Sequence, residues 1–123
     1  MKPIQLQKTT IDIPFVDAKG KEQLVIQFDR SDDNIKRLYA SFDELEKAKN
    51  ELSVTENEDI FEDTRDFIKN MMDPIFGGGT FDKIYALSPS SLIVVVYFYK
   101  MAMALKEELE MDDFKNFEEK YLS

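Results

Sequence analysis

Apolar residues follow two different periods along this chain, and the change of period divides it. In residues 1–30 the period is two. Ile4 and Leu6 alternate with polar neighbours, as do Ile11, Ile13 and Phe15, and again Leu24, Ile26 and Phe28. Such alternation buries one face of a strand and leaves the other to water. Asp17-Ala18-Lys19-Gly20-Lys21 separates the runs and supplies a glycine for positive φ. The pattern predicts an N-terminal β-hairpin. Pro14 lies inside the first run and cannot donate a ladder bond, so this strand is expected to be an edge or to be interrupted there.

From residue 31 the period becomes helical. Ser31-Asp32-Asp33 is N-cap material, with acids at the positive end of a helix dipole. Ile35, Leu38, Tyr39, Phe42, Leu45 and Leu52 then recur at helical spacing. A second helix is expected after Thr55-Glu56-Asn57-Glu58, which has the capping-box form. Its apolar stripe is Ile60, Phe61, Phe67, Ile68, Met71 and Met72, and Asp73-Pro74 should end it. Gly77, Gly78 and Gly79 follow, and Thr80 is placed to cap a short helix carrying Phe81, Ile84, Tyr85 and Leu87. Ser88-Pro89 predicts the start of another helix, running to about Glu110. The β-branched run Val94-Val95-Val96 would also suit a strand. Its length and the helix-forming tail MAMALKEELE decide for helix. A last short helix is expected over about Asp112 to Tyr121, with Phe114, Phe117 and Tyr121 on one face. The fold class is therefore α+β, mainly α-helical with a short β-hairpin head (1–30) and a helical body (31–123).

At 123 residues the chain makes one domain. Its net charge of −9 is uneven. The head carries 5 bases and 4 acids, a net +1, and the rest carries 11 bases and 21 acids, a net −10. The chain lacks His and Cys. Disulfides, zinc fingers, iron–sulfur clusters, thiol nucleophiles and Ser-His-Asp triads are thereby excluded. The acidity argues against nucleic-acid binding. The composition points to a soluble, intracellular, non-catalytic domain with no cofactor. No secretory signal is visible. The apolar run from Leu92 to Leu105 spans only about 21 Å as a helix, short of the ~30 Å a bilayer core needs.

Four features can carry function, each beside a plainer reading. The glycine cluster precedes a helix, as phosphate-binding loops do. A P-loop needs a Lys and a Ser or Thr after its final Gly, but Phe81-Asp82 follow Gly79-Thr80 here and Lys83 is displaced, so a hinge is the plainer reading. Asp59, Asp63 and Asp66 share a helical face that could offer oxygens to a divalent cation, but a solvated face is the usual meaning of such a run. The helix from Leu92 to Leu105 is apolar nearly all round, so it is either the centre of a bundle or a face for another subunit. Tyr99, Met101 and Met103 are its candidate contact residues, the methionines being adaptable. The aromatic tail either closes the core or docks on a partner.

The order of parts, and above all Pro74-Ile75-Phe76-Gly77-Gly78-Gly79-Thr80-Phe81-Asp82-Lys83-Ile84-Tyr85, resembles the small tail assembly chaperones of long-tailed phages and prophages of Gram-positive bacteria. In that family a Phe-Gly-x-Gly-Thr element and a following Lys precede a final helical hairpin. The matching positions here are Phe76, Gly77, Gly79, Thr80 and Lys83. Many relatives carry an acid between the two glycines, where this chain has Gly78. The similarity extends over roughly residues 10–110. It implies a non-enzymatic role in the host bacterial cytoplasm: binding the tape measure protein during assembly, with the tail tube protein as a further candidate partner and with absence from the mature virion. It also implies a homo-oligomer, with neither nucleic acid nor membrane as partner. A different class of function remains open: an acidic inhibitor or DNA mimic, which requires the carboxylates of the body to form one stripe.

Overall fold

The computed structural model describes the backbone of residues 1–52 and 60–121 and the side chains of residues 1–48 and 62–110. Two strands, β1 (Thr10–Val16) and β2 (Glu22–Asp29), precede four helices: α1 (Asp32–Leu52), α2 (Ile60–Phe76), α3 (Thr80–Leu87) and α4 (Ser91–Tyr121). The α+β, mainly helical architecture is the one the periodicities predict. The Thr55–Glu58 capping box and the side chains of Phe114, Phe117 and Tyr121 lie outside the described residues.

The strands pair antiparallel with Ile11 opposite Phe28, Ile13 opposite Ile26 and Phe15 opposite Leu24. That register puts every alternating apolar residue of both strands on one face. Ile26 and Phe28 are buried, and the β1 residues are half-buried against the helices. Asp17 builds the turn: its Oδ1 accepts the backbone N–H groups of Lys19 and Lys21, each at 2.9 Å. Gly20 takes φ +82°, which a side chain would strain. Pro14 does not interrupt β1, because in a two-stranded sheet each strand is an edge. Ile4 and Leu6 depart from expectation. They precede β1 rather than join a strand, and both are exposed.

α2 is the hub and touches β2, α1, α3 and α4. Ile68, Met71, Met72 and Ile75 of α2 meet Phe28, Leu38, Phe81, Ile84 and the inner face of α4. Asn34 locks the entry to α1. Its Nδ2 donates to the carbonyls of Asp29 at 2.9 Å and Ile75 at 2.8 Å, joining the end of the hairpin to the end of α2.

Three helix boundaries differ from expectation. α2 does not stop at Asp73-Pro74 but runs to Phe76. Pro74 costs the helix one N–H bond, to the carbonyl of Asn70, and crowds that carbonyl. The next two residues gain by staying helical: Ile75 is buried, and Phe76 sets its ring against Phe28 and Phe98. The stop moves to Gly77, at φ +111°. α4 starts at Ser91 rather than Pro89, with Ser90 as its cap; Ser90 Oγ accepts from the N–H of Ile93 at 3.4 Å. No separate helix forms at Asp112, since α4 is continuous to Tyr121. No Gly or Pro stands between Glu110 and Asp112 to break it.

Among the described residues one buried polar side-chain atom is left over. Thr64 in α2 is 1% exposed, and its Oγ1 has no hydrogen-bond partner. A lone buried hydroxyl costs stability, and an isosteric apolar group removes that cost. Thr64→Val is therefore expected to stabilise the fold by about 1 kcal/mol. Thermal melting should show a rise of roughly 3–6 °C for a domain of this size. A fall would mean that the hydroxyl is satisfied in solution.

Candidate functional site

Two groups of residues were singled out from the sequence, and the structure places them differently. The first is the corner between α2 and α3. Gly77 and Gly79 both have positive φ, +111° and +86°. A Cβ added at any of Gly77, Gly78 or Gly79 would meet nothing within 4 Å. The need for glycine at 77 and 79 is thus conformational, and Gly78 carries no such need. Thr80 is not the cap but the first residue of α3, with Gly79 at the cap position. Its buried hydroxyl instead donates to the carbonyl of Gly77 at 2.7 Å, closing the corner.

The residue that caps α3 is Asp73, one turn before the end of α2. Its Oδ1 accepts the N–H of Phe81 at 3.0 Å and its Oδ2 that of Gly79 at 3.4 Å. A carboxylate at a helix N-terminus satisfies open donors and meets the positive end of the dipole. It also fills the place a phosphate would take, so the phosphate-cradle reading of the glycine cluster does not hold. Sequence reasoning missed this role because the cap is supplied from eight residues upstream. Lys69 on α2 and Asp82 on α3 pair at 3.6 Å, and the Arg65 guanidinium lies 5.3 Å from the centre of the Tyr85 ring. Both contacts pin α3 to α2. Lys83 stands exposed on α3. Phe76, Gly77, Gly79 and Thr80 are therefore brought together as a structural corner. The Phe76 ring is a core bridge, 6.0 Å from Phe28 and 6.1 Å from Phe98.

The second group lies on α4. Val94, Phe98, Met101, Ala102, Leu105 and Leu109 are buried. Met101, a candidate contact residue, is only 4% exposed and belongs to the core. It stands seven residues from Val94, on the inner face of the helix. The opposite face is open and largely apolar, with exposed Lys100 set between Val96 and Met103. Leu92, Val96, Tyr99 and Met103 are 51%, 49%, 53% and 41% exposed, and Ile93 beside them 45%. Their spacing of four, three and four residues makes one continuous stripe. Tyr99 and Met103 are thus surface residues on one side with Leu92, and Val96, not Val95, completes that side. No single helix among the described residues is long and apolar enough to cross a membrane, and α3 and α4 meet at a bend of 119°.

Between the hairpin turn and the α3–α4 corner lies a cleft of about 390 Å³, with Phe15, Asp17, Gln23, Leu87 and Tyr97 in its lining. Its polar groups are engaged with one another. Asp17 serves the turn and Gln23 Nε2, and Tyr97 OH shares a 3.0 Å hydrogen bond with Ser88 Oγ. Among the described residues, no three acids are grouped to hold a metal ion. Asp63 and Asp66 stand exposed on α2, and Asp59 lies outside the described residues.

The arrangement leaves α4 with one face built into the core and the other presenting apolar side chains to the surroundings. Compared with protein-family models, curated proteins and solved structures, the chain matches none.

Proposed function

We propose that this chain is a non-enzymatic protein-binding adaptor that shields an apolar helical client, as a tail assembly chaperone does for a tape measure protein. The observation that carries this reading is the stripe Leu92, Val96, Tyr99 and Met103, exposed along three turns of α4. Open apolar contiguity on a folded domain marks a surface for a partner. Amphipathic helices dock on such surfaces through residues spaced by three and four. The acidic body supports the same reading, since net charge far from zero keeps a carrier of apolar surface in solution. The chaperone identity rests on the resemblance around Phe76–Tyr85, and with it the host cytoplasm as location and the tape measure protein as client.

The test is a binding titration with a helical tape measure peptide that carries an apolar stripe. Val96→Glu combined with Tyr99→Glu places two charges in the contact and should weaken binding by more than about tenfold. Thermal stability should barely change, because both side chains are already half in solvent. Unchanged affinity would remove the α4 face from the function.

A further inference from the structure

The molecule displays a second exposed apolar element, and it matches the first. Residues 1–9 form no regular structure, yet the root of this arm is held. The N–H of Arg30 donates to Thr9 O at 2.8 Å, and Lys8 pairs with Asp12 at 3.8 Å. Beyond that root, Ile4 and Leu6 are 89% and 91% exposed. Lys2, Ile4, Leu6 and Lys8 occupy alternate positions, so an extended arm presents all four on one side. No acid occurs before Asp12.

We propose that the α4 stripe is the docking site for the N-terminal arm of a second copy of this chain. The spacings agree. Two residues of extended chain advance about 6.6 Å, and four residues of helix advance about 6.0 Å. With Ile4 set on Met103, Leu6 falls on Tyr99 and Lys2 reaches Glu107. Glu107 and Glu110 are exposed at the C-terminal end of the stripe, on its side of the helix. The arm's apolar pair therefore meets the apolar stripe, Lys2 meets the acids at its C-terminal end, and Lys100, exposed between Val96 and Met103, lies beside the seated arm. Because the arm and the stripe are different surfaces, the contact either repeats head to tail or closes as a reciprocal exchange of arms between two copies. The arm occupies the same face as the client, so client binding displaces it. The proposal rests on the reading of this stripe as a protein-binding surface.

Full-length variants test it by sedimentation. The wild-type chain should associate with rising concentration. Ile4→Asp with Leu6→Asp spoils the arm, and Val96→Glu with Tyr99→Glu spoils the stripe. Each variant alone should weaken association by more than about tenfold. Mixed together they should form a 1:1 pair that grows no further, since one good arm meets one good stripe. Lys2→Glu should weaken association about two- to fivefold, and adding Glu107→Lys should restore it. A wild-type chain that stays monomeric at its solubility limit overturns the proposal, as does a mixture that forms no pair. If the arm variant still binds the helical client peptide while the mixture forms no pair, only the arm contact fails. If the stripe variant binds that peptide as well as wild type, the underlying reading of the stripe fails.

Discussion

Phe98→Ala is expected to destabilise the domain by about 3–5 kcal/mol, the usual cost of truncating a fully enclosed Phe. Phe98 is 0% exposed at the middle of the inner face of α4. Its ring meets Phe76 edge-on at 6.1 Å, and Phe76 in turn meets Phe28 at 6.0 Å. This chain of rings joins α4, the end of α2 and β2, three elements far apart in sequence. Edge-to-face pairs add to area burial, so the loss exceeds the transfer of a side chain alone. The void would be bordered by packed helices that can collapse only in part. A domain of this size has about 5–15 kcal/mol in total, so the variant should be marginal at physiological temperature. Urea titration should show a lower midpoint with an unchanged slope. A loss below about 1 kcal/mol would mean that α4 does not pack on this face.

Asp73→Ala is the second large effect, an expected loss of about 2–3 kcal/mol. The variant leaves the N–H groups of Gly79 and Phe81 without their carboxylate and removes a charge from the positive end of α3. Phe81 is itself 2% exposed, so water reaches its amide poorly. Asp73→Asn should lose about half as much, because one side-chain oxygen can still accept. Amide hydrogen exchange separates this from a general weakening. Gly79, Phe81 and their neighbours in α3 should exchange faster while Phe98 and Leu105 in α4 keep most of their protection. Uniform acceleration across the chain would show that Asp73 supports the whole fold and not the corner.

These two residues also show how far the sequence could be read. Ile11, Ile13 and Phe15 alternate, as do Leu24, Ile26 and Phe28, so strand faces and the hairpin followed from periodicity alone. Gly20 marked the turn, and Ser31 with Asp32 and Asp33 marked the start of α1. Each of these rests on interactions within a few residues, which local sequence encodes. The candidate site was legible only in part. Tyr99 and Met103 proved to be surface residues, whereas Met101 proved to be core. A helix apolar on nearly every side has no contrast from which its buried face can be read. Only the positions of α2 and the hairpin decide that Val94, Phe98, Met101 and Leu105 turn inward and that Leu92, Val96, Tyr99 and Met103 stay open.

The α2–α3 corner makes the same division. The sequence by itself placed a hinge between two helices at Gly77, Gly78 and Gly79, and the structure added that Gly77 and Gly79 take positive φ. Where α2 ends was a tertiary decision. Pro74 disfavours helix locally, but Ile75 and Phe76 reach the core only if the helix continues. Burial of Ile75, worth about 1.5–3 kcal/mol, together with the partial burial and ring contacts of Phe76, offsets the roughly 3 kcal/mol that a helical Pro costs. The cap of α3 was likewise decided by the fold, because Asp73 reaches Phe81 only after the chain has turned back on itself. Local pattern settles which residues seek burial, and packing settles which of them obtain it.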